Sequence, residues 1–112
     1  MTPLEKEIED KLRKSVESYG GKCLKWVCPG WAGVPDRIIL LPGGLILFVE
    51  TKRPKGGVLS ARQKWWRDKL TALGFEHWVV WDTVDLKFFE THLQTTMRTK
   101  GETNRKEGTK CD

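Results

Sequence analysis

Two short apolar runs separated by a pair of glycines set the strongest constraint on how this chain can fold. Residues 36–42 read Asp-Arg-Ile-Ile-Leu-Leu-Pro, residues 45–52 read Leu-Ile-Leu-Phe-Val-Glu-Thr-Lys, and Gly43-Gly44 lies between them. Aliphatic and aromatic runs joined through a glycine turn form a β-hairpin. A hairpin closed there sets the start of its first strand beside the end of its second, so Asp36 meets Glu50. Side chains alternate faces along a strand, which puts Glu50 and Lys52 on one side and Thr51 on the other. Two carboxylates and an amine converge at one end of the hairpin.

Carboxylates held this close repel each other, and the hard divalent ions Mg²⁺ and Mn²⁺ offset that repulsion with the oxygen ligands they prefer. Such an ion polarises a phosphoryl oxygen and lowers the pKa of a coordinated water. A lysine beside it orients the water or stabilises charge on a pentavalent phosphate. The pattern therefore predicts hydrolysis of a phosphodiester. A Glu-x-Lys tripeptide by itself is usually an ion pair at a strand end. Its weight comes from the company of Gly33-Val34-Pro35-Asp36 and of a preceding run that reads as fully buried.

The rest of the chain supplies the frame. Leu4, Ile8, Leu12, Val16 and Tyr19 recur at helical spacing and stop at Gly20-Gly21. Residues 22–28 alternate in part, with Leu24, Trp26 and Cys28 on one face, and lead into Pro29-Gly30-Trp31-Ala32-Gly33, a segment with turn chemistry. After the hairpin, Arg53-Pro54-Lys55-Gly56-Gly57 is a basic loop. Ser60 then caps a helix with apolar positions at Trp65, Trp66, Leu70 and Leu73 and with Gln63 in its first turn. Residues 76–81 read as a strand and residues 84 to about 92 as a last helix. The expected order is α-β-β-β-α-β-α, an α/β fold with a mixed sheet flanked by helices. Its last strand runs parallel to its predecessor through a helix-length crossover. From about Thr95 no apolar periodicity remains, so residues 1–94 read as the domain and 95–112 as a polar, disordered tail.

With 112 residues the chain makes one domain, and its net charge of +5 and pI near 9.2 suit a polyanionic partner. The cations crowd into one stretch: Lys52, Arg53, Lys55, Arg62, Lys64 and Arg67 follow the acids and, with Ser60, form the candidate phosphate-binding surface. Cys23, Cys28 and Cys111 have neither disulfide-framework nor zinc-site spacing and read as reduced thiols. No run reaches membrane-spanning length and no secretory segment opens the chain, so an intracellular, cytoplasmic protein is expected. Six tryptophans suggest base stacking, yet most lie in periodic apolar segments that favour core or dimer packing. Trp31 is left equally open between a base and the core.

In that order, Gly33-Val-Pro-Asp36-Arg, Phe48-Val-Glu50-Thr-Lys52 and Ser60-Ala-Arg-Gln63 resemble the virus-type replication-repair nuclease (VRR-Nuc) domain of the PD-(D/E)xK superfamily. The resemblance runs from about Glu5 to about Leu93 and is to stand-alone members of phages and bacteria. It implies a restriction-endonuclease-like core, with Asp36, Glu50 and the Thr51 carbonyl as ligands of Mg²⁺ or Mn²⁺, Lys52 as the catalytic lysine and Gln63 as an accessory residue near the scissile phosphate. It also implies a first-helix glutamate at the metal, Glu9 with Glu5 as the alternative one turn away. The implied activity is a structure-specific DNA endonuclease that resolves four-way junctions as a homodimer. The alternatives are a non-catalytic nucleic-acid-binding module and a sequence-specific restriction or homing endonuclease.

Overall fold

The computed structural model describes residues 3–52 and 58–111, with side chains described for 5–52 and 58–99. Its elements follow the expected order: α1 (Pro3–Ser18), β1 (Lys22–Lys25), β2 (Arg37–Leu41), β3 (Leu45–Thr51), α2 (Ala61–Ala72), β4 (Glu76–Val80) and α3 (Thr83–Cys111). The four strands form one mixed sheet in the order β1-β2-β3-β4. The first two pairings are antiparallel and β3 runs parallel to β4. The hairpin closes at Gly43 and Gly44, whose φ of +88° and +77° lie where a Cβ would be strained.

Strand alternation divides the sheet into two unlike faces. Cys23, Ile39, Leu41, Leu47, Val49 and Val80 point to one side. There they pack with Ile8, Leu12 and Val16 of α1 and with Leu86, Phe89 and Leu93 of α3 in one buried cluster. Full burial of that many aliphatic and aromatic side chains, each contributing about 1.5–3 kcal/mol, holds α1 and α3 to the sheet. The other face carries Phe48 under α2, and along α2 only Leu70 is buried. The sequence assigned Trp65 and Leu73 to an apolar face, yet they are 51% and 60% exposed. One helix on a sheet of this width leaves much of its own circumference in solvent.

Two boundaries differ from expectation. The first strand stops at Lys25, and Cys23 is its buried residue while Leu24 is half-exposed, because the α1 side of the sheet takes the odd positions. The last helix does not end near His92. It continues through the segment expected to be a disordered tail, and Met97 packs on the core cluster. Asp82 starts this helix by accepting the Asp85 N–H at 2.9 Å, while the Asp85 carboxylate accepts the Trp81 N–H at 3.0 Å. Met97 is an apolar anchor on the core cluster where hydrophobic periodicity has faded.

Candidate active site

The antiparallel register that pairs Arg37 with Val49 and Ile38 with Phe48 extends by one step to set Asp36 opposite Glu50, as the hairpin argument requires. Glu50 and Lys52 take the α2 face, and Thr51 takes the α1 face. Asp36 stands where the two faces meet at the sheet end. Its Oδ1 accepts the Thr51 backbone N–H at 3.2 Å, and its Oδ2 lies 2.7 Å from the Thr51 hydroxyl.

Glu9 arrives from α1 on the Thr51 side. Its Oε1 lies 3.1 Å from the same Thr51 hydroxyl, and its Oε2 accepts from Arg37 at 2.8 Å. One hydroxyl carries one proton, so Thr51 serves both carboxylates only as a forked donor, with the shorter arm on Asp36. Glu5, the other first-helix candidate, sits one turn earlier and half-buried. Arg37 and the Thr51 side chain were missed by sequence reasoning. Alternation alone carried the signal: a residue next to Asp36 and a residue next to Glu50 both face α1.

Glu50 is the buried acid of the site, 5% exposed, and its Oε2 has no hydrogen-bond partner among the described residues. Burial, and then the nearby Asp36 charge, push its carboxyl up from 4.5 to about 8, against the opposing pull of Lys52. Burial also raises Asp36, opposed by its bonds to Thr51. The Lys52 backbone N–H donates to the Val80 carbonyl at 3.0 Å, which fixes the lysine to the end of β4.

Among the described residues, no group of three or more His, Cys, Asp and Glu side chains gathers closely enough to hold an ion. The donor set at the sheet end is a carboxylate pair, Asp36 and Glu50, with the Thr51 carbonyl next after Glu50 in sequence. That set fits Mg²⁺, which is commonly held by one or two carboxylates and keeps several waters. An orphaned carboxylate oxygen with a raised pKa is a group that a cation would satisfy.

Gln63 lies in the first turn of α2, where its Oε1 accepts the Ser60 N–H at 2.8 Å and its own N–H donates to Ser60 Oγ at 3.1 Å. Gln63 and Ser60 thus close a reciprocal helix cap. Arg62 and Lys64 are exposed on the same helix, and Arg67 pairs with Asp68 at 3.0 Å. Arg53 and Lys55 lie outside the described residues. Cys23 and Cys28 are free thiols, and burial raises Cys23 to about 11, which makes it a poor nucleophile.

No family model matches the chain. A protein named "Putative nuclease p44", from Acyrthosiphon pisum secondary endosymbiont phage 1, is 43% identical over 82 residues, covering 73% of this chain and 86% of the relative. A solved structure titled "VRR_NUC domain" superposes with a TM-score of 0.75 over 81% of this chain and 98% of its own, at 24% identity. The chain belongs to the VRR-Nuc nuclease family. The solved VRR-Nuc domain speaks for the fold, a four-stranded mixed sheet between helices in the order found here. Among the described residues, no helix is long and apolar enough to cross a membrane.

Proposed function

We propose that this VRR-Nuc chain is a Mg²⁺- or Mn²⁺-dependent DNA endonuclease that cuts branched DNA, four-way junctions above all, as a homodimer. The observation that carries the reading is Glu50: a buried carboxylate, repelled by Asp36, with an oxygen that no described residue satisfies by a hydrogen bond. Keeping an acid where burial and Asp36 outweigh the pull of Lys52 costs stability, which a binding site for a cation explains. Asp36, Glu50 and the Thr51 carbonyl would hold the ion, and Glu9 supports them through the Thr51 hydroxyl. The ion, when bound, supplies Lewis acidity toward a phosphoryl oxygen and toward the attacking water.

The chain's own groups do the rest. Lys52, on the Glu50 face of the strand, places a cation where charge builds on the phosphate. Thr51 and Arg37 hold Asp36 and Glu9 in position, so the carboxylates need no reorganisation when the substrate arrives. Arg62, Lys64 and Arg67, with Arg53 and Lys55, bind phosphates flanking the cut, and Gln63, whose side chain caps α2 at Ser60, is the accessory residue. The phage relative's printed name, a nuclease, supports the same activity. Among the described residues, no helix or ribbon suited to reading a groove stands out, which favours shape over sequence as the determinant of cutting.

The test is cleavage of labelled linear duplex, flap, splayed-arm and four-way-junction DNA with Mg²⁺, Mn²⁺ or EDTA, for wild type and Asp36→Ala. Metal-dependent cutting of the junction, lost in the variant, is the expected result. Binding without cutting would favour a non-catalytic module, and discrete fragments from linear duplex would favour a restriction-type enzyme. Sedimentation with and without junction DNA tests the dimer separately.

A further inference from the structure

A second feature stands on the α2 side of the sheet, and of the residues that form it only Arg62 takes part in the chemistry above. Trp31, Ala32, Ala61, Arg62, Trp65 and Trp66 line an open cleft of about 380 Å³. Trp31 and Trp65 are 56% and 51% exposed, although burying an indole is among the largest apolar gains available to a chain of this size. Each meets Trp66 nearly edge to face. The Trp31 and Trp66 ring centres are 5.8 Å apart at 82°, and those of Trp65 and Trp66 are 5.1 Å apart at 87°. The core does not need these rings to be where they are, and the rings leave faces open to solvent.

The cleft is held rather than incidental. Trp66 Nε1–H donates to the Ala32 carbonyl at 3.1 Å, tying the loop before Asp36 to α2. Gly33 has φ +86°, and a Cβ on it would fall 2.6 Å from Arg62 Cβ and 2.7 Å from the Arg62 carbonyl carbon. The loop therefore lies against the first turn of α2, so Trp31 and Trp65 keep a fixed relation through Trp66. Among the described residues, Arg62 is the only charged one in the lining, and Lys64 lies two positions further along the helix. Apolar ring faces beside a guanidinium, with no carboxylate in the lining, complement a planar group attached to an anion.

We propose that this cleft is a stacking subsite for an unpaired DNA base near the scissile phosphate, with Arg62 on the adjoining phosphate. The proposal rests on the nuclease reading for its substrate class. A volume of about 380 Å³ falls in the lower part of the range for ligand pockets, roughly 300–1,000 Å³, and suits one nucleotide better than a peptide or a helix. Trp31 precedes Asp36 by five residues. An extended chain of that length spans at most about 18 Å, which is about five stacked nucleotides from the acids. Every base presents a π-face, so stacking of this kind captures an unpaired base whatever its identity. Flaps and splayed arms carry such bases, and continuous duplex does not.

The experiment measures binding in EDTA, where nothing is cut. Fluorescence anisotropy of a labelled short oligothymidylate and of a blunt duplex is recorded for wild type, Trp31→Ala, Trp65→Ala and Asp36→Ala. A series of oligonucleotides carries a single abasic position moved along the strand. Both tryptophans are half-exposed, and thermal melts verify that the variants fold. The expected result is an affinity loss of about 10-fold for the oligothymidylate in each tryptophan variant, with blunt duplex nearly unaffected. One abasic position should cost wild type the same factor and cost Trp65→Ala nothing further.

Equal affinities across the tryptophan variants, or wild-type binding indifferent to every abasic position, would overturn the proposal. So would unchanged oligonucleotide affinity together with loss of self-association on sedimentation, because a second copy of the chain would then cover the cleft. Asp36→Ala separates the two readings. Wild-type cutting that Asp36→Ala abolishes, with tryptophan variants binding normally, keeps the nuclease and removes the subsite. Tryptophan-dependent, abasic-sensitive binding without cutting by wild type keeps the subsite and removes the nuclease.

Discussion

Replacing Glu50 with glutamine in metal-free protein should change how stability depends on pH, and the size of the change follows from the site. The folded protein holds a proton on Glu50 up to about pH 8, whereas an unfolded chain releases it near 4.5. Between those values the native state carries one more proton than the unfolded state, so stability falls as pH rises, by about 1.4 kcal/mol per pH unit. The sign is opposite to that of a salt-bridged acid: the contribution is intact below pH 4.5 and lost above about 8. Across the whole interval the upper bound is about 5 kcal/mol, and screening by solvent at the open end of the site brings the expected figure to about 2–3 kcal/mol. Glu50→Gln keeps the shape and removes the charge. Urea unfolding from pH 5 to 9 in EDTA should show wild type losing stability and the variant nearly flat, equal near pH 5 and with the variant ahead at pH 9. Mg²⁺ or Mn²⁺ should then raise the melting temperature of wild type above pH 7 and leave Glu50→Gln unmoved. Parallel pH profiles for the two proteins would refute the argument that burial and the Asp36 charge outweigh the pull of Lys52 on Glu50.

Three further expectations concern the supports of the site. Thr51→Val removes the hydroxyl shared by Asp36 and Glu9 and should cost about 1–3 kcal/mol of stability by denaturant titration, with DNA cutting reduced and Thr51→Ser restoring both. Gly33→Ala forces a side chain into left-handed backbone and against Arg62, and should lower stability by about 1–3 kcal/mol while reducing single-strand binding in EDTA. Phe89→Ala, fully buried between α3 and the sheet, should cost about 3–5 kcal/mol in chemical unfolding, a loss large enough to leave much of a small domain unfolded.

The hairpin shows how far the sequence reached. Apolar runs either side of Gly43-Gly44 specify strands and register locally, since the turn closes only one way, and register alone sets Asp36 against Glu50. Period-2 alternation likewise places Lys52 with Glu50, and helical periodicity finds α1 through Ile8, Leu12 and Val16, all of which are buried. These features depend on neighbours close along the chain, and composition records them.

What the sequence left open depends on elements distant along the chain. Whether Glu9 or Glu5 approaches the acids is set by how α1 crosses the sheet, and the tertiary structure brings Glu9 to Thr51 and Arg37. The raised carboxyl of Glu50 arises because strands and helices together exclude water from it, a many-body effect that no tripeptide encodes. The fading of apolar periodicity predicts an end to the last helix near His92, whereas α3 extends further and packs Met97 on the core cluster. The sequence left Trp31 open between a base and the core and set Trp65 and Trp66 on an apolar helix face, and only the docking of the Gly33 loop on α2 groups all three beside Arg62. Local pattern determined the elements and the acids. The sharing of solvent and neighbours among those elements, which exists only after they pack, decided which groups are buried, paired or left open to a partner.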